Sequence, residues 1–141
     1  MKKAIEFLLF NSGVSNYQIA KATGISQVVL SKYATGKSDV GRMTLDNAEK
    51  IYNYFKEWIE MTENEFGTVF FEGKGYILVE QAFLNHIQGL DGVSDDHYAA
   101  RAVDRDGNEY MVYWNPVDGW ERLEDASEHC DWDSPVEVTE L

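Results

Sequence analysis

The side chains of this sequence that could do chemistry are few, and their spacing argues against catalysis. His and Cys meet only at Glu128-His129-Cys130-Asp131. Four consecutive ligand types project in different directions, whereas zinc sites use pairs a few residues apart that converge on one ion. The run therefore reads as a loop in which Cys130 and Trp132 are apolar anchors between acids, and no metal is expected. His86 and His97 have no arrangement of Ser, Cys or Asp around them that marks a nucleophile with its base. Gly73-Lys74-Gly75 is too short for a phosphate-cradling loop and opens no helix. Neither an enzyme nor a cofactor is expected.

A second chemistry, the reading of base edges, is better supplied. Ser26 is a natural N-cap for a helix running from Gln27 to about Thr35, which Gly36 stops. At 100° per residue, Ser26, Leu30, Tyr33 and Ala34 share one side, and Val28, Ser31, Lys32 and Thr35 gather on the other. The second side is short-chained and polar, as a helix pressed into the major groove must be. Gln27 can pair bidentately with adenine, Val28 can pack on a thymine methyl, Ser31 fits closely, and Lys32 can reach guanine or a phosphate. The plain alternative is that this is only the solvated face of a small helix.

The elements that position this face can be read from caps and periodicity. Lys2 to Phe10 is apolar at helical spacing through Ile5, Leu8 and Leu9, and Gly13 ends it. Ser15 caps a helix from Asn16 to Thr23, which Gly24 breaks. Thr44 caps a longer helix bearing Leu45, Ala48, Ile51, Tyr52, Phe55, Trp58 and Ile59. The stretch Asn16 to Tyr33 resembles the helix-turn-helix of the Cro and phage-repressor family: Ala20 stands at the crossing of the two helices, Gly24 in the turn, and Leu30 as core anchor. Gly36-Lys37 matches the family's exit. The resemblance covers about residues 2–60, with Ala34 where many relatives have Glu and no counterpart to a fifth helix. It implies a homodimer on a palindromic operator in double-stranded DNA, with Asn16, Thr35 and Lys37 holding the backbone.

Charge divides the chain. The 141 residues carry −13 overall. Residues 1–60 hold 8 Lys+Arg and 6 Asp+Glu, whereas residues 61–141 hold 4 and 19. Such a change of sign predicts two modules with different partners, one able to approach phosphates and one repelled by them. The expected organisation is a helix-turn-helix domain at 1–60, a linker at 61–75, and an acidic β-rich domain at 76–141. In the last, Tyr76 to Leu84, His97 to Val103, Glu109 to Trp114 and Val136 to Val138 read as strands. Asp106-Gly107 is a two-residue hairpin signal, and the segment between Trp114 and Trp132 reads as an exposed loop. The expected fold class is α+β, an all-α head followed by a small antiparallel sheet.

The acidic module can present anions around aromatic anchors to a basic protein, through Trp120, Glu121, Glu124, Asp125, Glu128 and Trp132. A plain solubilising surface is the alternative. In layout the chain resembles anti-CRISPR proteins whose helix-turn-helix head represses their own operon while the tail inhibits a CRISPR effector nuclease. An operon-repressing antitoxin and a partner- or ligand-sensing regulator are further readings. Met1-Lys2-Lys3 and the following apolar run superficially copy a signal peptide, but Glu6 interrupts the run and Asn11-Ser12 ends it early. No membrane span is expected, and a single cysteine suits a reducing cytoplasm.

Overall fold

The computed structural model describes residues 1–141 and mixes helices with one antiparallel sheet, an α+β arrangement. The chain divides into two compact units: Met1–Met61 with the short segment Arg105–Asn108, and Thr62–Asp104 with Glu109–Leu141.

In the first unit, α1 spans Lys2–Phe10, α2 Asn16–Thr23 and α3 Gln27–Ala34, and Leu45–Phe66 forms α4, which continues beyond Met61. The local signals act as the residue types require. Ser15 Oγ accepts from Gln18 N while Gln18 Oε1 accepts from Ser15 N, a reciprocal cap. Gly24 closes α2 in the left-handed conformation, at φ 78°. Ser26 Oγ accepts from Val29 N at 3.2 Å and starts α3. The core gathers Ala4, Ile5, Phe7 and Leu8 from α1 with Ile19, Leu30, Ile51, Phe55 and Ile59, all buried. Phe7 meets Phe55 and Trp58 at ring separations of 6.1 and 5.4 Å. Gly107 belongs to this unit too: a Cβ there would lie 2.3 Å from Ala4 Cα and 2.4 Å from Ala4 N.

The second unit is built on six strands: β1 Thr68–Phe71, β2 Lys74–Leu78, β3 Phe83–Asn85, β4 His97–Val103, β5 Glu109–Trp114 and β6 Glu137–Glu140. They pair in the order β1-β2-β4-β5-β6, with β3 against the start of β4 and β2 against its end. One face carries Val69, Tyr76, Leu78, Tyr98, Ala100, Ala102, Tyr110, Val112 and Trp114 as a single apolar cluster. Ile77, His97, Ala99, Val103 and Tyr113 alternate with them and are buried as well, so β4 reads as a near-continuous apolar run.

Several expectations are corrected here. Residues 61–75 are not a linker: α4 runs through Phe66, Gly67 stops it at φ 91°, and β1 follows at once. Tyr76 to Leu84 is not one strand. β2 ends at Leu78, the Val79 N–H still donates to Arg101 O at 3.1 Å, and Glu80 Oε1 then accepts the Arg101 backbone N–H at 2.8 Å in place of a strand carbonyl before β3 begins. The hairpin between β4 and β5 has a five-residue connection from Asp104 to Asn108. Only Gly107 there is left-handed, whereas the two-residue turn that Asp106-Gly107 suggests requires two such residues. The last strand runs from Glu137 to Glu140, one residue later at its start than expected and two longer at its end, although Val136 N already donates to Tyr113 O on β5. The segment after Trp114 is largely exposed, as expected, but it is pinned by two 3-10 turns, Trp120–Arg122 and Ala126–Glu128, and by a bridge between Pro116 and Cys130.

Candidate nucleic-acid interface and acidic surface

The cap at Ser26 leaves the first turn of α3 exposed, and Leu30, fully buried, fixes which side of the helix faces out. Gln27, Val28, Ser31, Lys32, Thr35 and Lys37 line one shallow concavity of about 440 Å³. Val28 is 68% exposed although it is apolar and β-branched. The lining has two lysines and no carboxylate. Gly36 turns the chain at φ 79°, and Ser38 N binds Lys32 O at 3.0 Å, which folds Lys37 back beside Lys32 and Thr35.

Two of the sequence-picked residues stand differently from the rest. The Thr35 hydroxyl donates to Ser31 O at 2.8 Å, so toward a phosphate it offers only an acceptor. Thr35 N–H, which would be the natural donor, is bound to Ser31 O as well. Asn16 lies at the first residue of α2, half-buried, and does not line the concavity. Arg42 was missed by the spacing argument. It ends the 3-10 turn Val40–Arg42 and shares an adjacent hollow with Lys37, Tyr33 and Ser38. Its only sequence signal was its place in the segment of positive balance.

On the second unit, Glu121, Glu124, Asp125 and Glu128 are exposed. Hydrogen bonds from Ser127 hold the Asp125 carboxyl below its usual range, where it also caps a 3-10 turn. Trp120 and Trp132 correct the picture of free anchors, since both are half-buried. Trp120 stands edge-on to His129 at 5.4 Å, and Trp132 edge-on to Tyr98 at 5.3 Å and Trp114 at 5.4 Å. Aromatic rings gain from such perpendicular contacts, so these tryptophans brace the segment they were expected to advertise.

His129 and Cys130 are buried together. His129 Nε2 lies 2.8 Å from Leu123 O, which can only accept, so the hydrogen-bond network assigns the proton to Nε2 and leaves Nδ1 to accept from the Tyr98 hydroxyl at 2.8 Å. Burial pushes the Cys130 thiol up to about 11. No group of three or more His, Cys, Asp or Glu side chains is placed to hold a metal ion. His97 is fully buried, with Nδ1 against Ser94 O at 2.9 Å and Nε2 without a hydrogen-bond partner. No helix is long and apolar enough to cross a membrane.

No family model matches the chain, and no curated protein matches it.

Proposed function

We propose that the first unit is a helix-turn-helix head of the Cro and phage-repressor type that binds double-stranded DNA and represses transcription, its own promoter being the first site to test. The observation that carries this reading is the convergence of Gln27, Val28, Ser31, Lys32, Thr35 and Lys37 on one carboxylate-free concavity. A solvated helix face has no need of an exposed valine between a glutamine and a lysine, whereas a thymine methyl does. In this reading α3 enters the major groove. Two copies of the chain place two such helices about one helical turn apart on a palindromic operator.

The test is a titration of labelled promoter DNA and a scrambled duplex by fluorescence anisotropy. Gln27→Ala and Lys32→Ala each reduce the preference for promoter, by about 1 to 3 kcal/mol per lost bidentate contact. Lys37→Ala weakens binding to both duplexes alike. Equal affinity of the unaltered chain for promoter and scrambled DNA overturns the reading.

The second unit is read as the part that meets a basic protein, with a CRISPR effector nuclease as one concrete target. The exposed acids of the segment from Trp120 to Trp132 favour this, since carboxylates steer a cationic partner and repel DNA. An antitoxin or sensor role is the alternative for the same surface.

A further inference from the structure

The apolar cluster of the second unit opens on one side into a cavity of about 530 Å³. Its aromatic lining is Phe66, Tyr98, Trp114 and Trp132, drawn from the end of α4, β4, β5 and the segment before β6. Glu65, Glu80, Asp125 and Asp133 also line it, and no Lys, Arg or His does. The size lies within the range of roughly 300 to 1,000 Å³ that small-ligand sites occupy.

What these rings offer a guest is decided by where their polar ends go. Trp114 Nε1 donates to Trp132 O at 3.1 Å, and Trp132 Nε1 donates to Ser127 O at 2.8 Å. The Tyr98 hydroxyl is engaged by His129. With both indole N–H groups and the phenol occupied, the aromatic wall presents carbon surface, chiefly that of the half-buried Phe66 and Trp132, since Trp114 is 1% and Tyr98 8% exposed. Trp132 packs at 66° to Trp114 and 78° to Tyr98, contacts that hold its ring in place in the cavity wall.

The charge around this wall narrows the guest. Glu80 is partly balanced by Arg101, whose Nε lies 3.3 Å from its Oε2. Asp125 is kept ionised by Ser127, and Glu65 and Asp133 are exposed. An anion is repelled by every carboxylate, and a neutral polar molecule, although it meets the hydroxyls of Thr68 and Ser127 and the amide of Gln81, gains nothing from the four carboxylates. A metal ion finds no group of three ligands. An organic cation satisfies both halves of the site, because a positive group is drawn to aromatic faces and to carboxylates.

We propose that this cavity binds an organic cation, an alkylammonium or guanidinium group. The inference stands apart from the DNA reading. If the group is an arginine side chain on a protein, it also supplies the contact by which the acidic unit holds its basic partner.

The experiment follows tryptophan fluorescence of the full chain while choline is added, with 3,3-dimethylbutan-1-ol as its uncharged isostere. A second arm uses N-acetylarginine methylamide against the citrulline analogue. A saturable change with a cation and none with its neutral counterpart is the expected result. Saturation by choline alone assigns a free ammonium ligand, and saturation by the arginine derivative alone assigns a side chain. The exposed pair Glu65→Gln with Asp133→Asn raises the half-saturating concentration several-fold while circular dichroism stays unchanged. Equal responses to charged and neutral probes, no saturation by either cation at tens of millimolar, or an unaltered response in the Glu65/Asp133 double variant each overturn the proposal.

Discussion

Cys130 and Gly107 show how single residues bear on the stability of this molecule. The Cys130 thiol is buried and titrates near 11 against an ordinary 9.0. Its neutral form is the one the fold accepts, so its contribution to stability is complete below about pH 9. It is lost as pH rises toward 11, because the unfolded chain ionises first. Chemical denaturation at pH 7, 9 and 10.5 is expected to show this decline, and Cys130→Ser to reduce its slope. The native thiol should react with a thiol-specific chromophore only as fast as the protein opens. Gly107 makes a different demand, combining a φ of +89° with backbone of Ala4 and Lys3 where a Cβ would stand. Gly107→Ala is expected to cost about 2 to 5 kcal/mol, from the left-handed conformation and the overlap together. Gly73→Ala is the control: Gly73 has φ +80° but open space around it, so it carries only the conformational part. Thermal melts that shift equally for the two would remove the packing argument.

At the scale of elements, α3 rests on one cap. Ser26→Ala removes the acceptor for Val29 N and is expected to cost about 1 kcal/mol. Because the loss frays the turn that carries Gln27 and Val28, promoter affinity should fall further than affinity for scrambled DNA. Restoring the acceptor with Ser26→Asp should recover the melt, and binding recovers less, since a carboxylate faces phosphates there. Elements of this kind were legible in the sequence because their causes are local. Ser15, Gly24, Ser26 and Gly36 act on residues within a few positions, and the bounds of α2 and, to within a residue, of α3 follow from them. The break between β2 and β3 was not legible, since it depends on Glu80 meeting Arg101 N–H 21 positions away. β1 was hidden because it is only four residues long, sits between Gly67 and Gly73, and shows its pairing only when Val69 is seen opposite Tyr76. The α3 face could be listed from its 100° periodicity, whereas the aromatic cavity draws on five separate segments and had no linear signature.

For the whole molecule, the charge step near residue 61 and the division at Met61 and Thr62 nearly coincide, yet the units are not consecutive stretches of chain. A fragment of residues 76–141, which the strand signals alone would define, lacks β1 and the start of β2 and exposes the β2 edge. It is expected to aggregate or to give a weak, broad melt. A fragment of residues 62–141 keeps all six strands and should show dispersed amide resonances. In the full chain, Glu121→Gln, Glu124→Gln and Glu128→Gln together should leave the melt unchanged. They should slow association with a basic protein partner at low salt, and the difference should fade near physiological ionic strength, where exposed charges are screened over about 8 Å.

The segment Arg105–Asn108 has a bearing on when the protein becomes competent during its own synthesis. It belongs with Met1–Met61, and Gly107 lies against the first turn of α1. Translation proceeds from the N-terminus at about 5 to 20 residues per second. The ribosome must therefore pass Asn108, about three-quarters of the way along the 141 residues, before the first unit has all its parts. A nascent chain arrested earlier carries α3 and its concavity but not the turn that packs on Ala4. The first turn of α1 therefore gains its full packing only after β4 has been made.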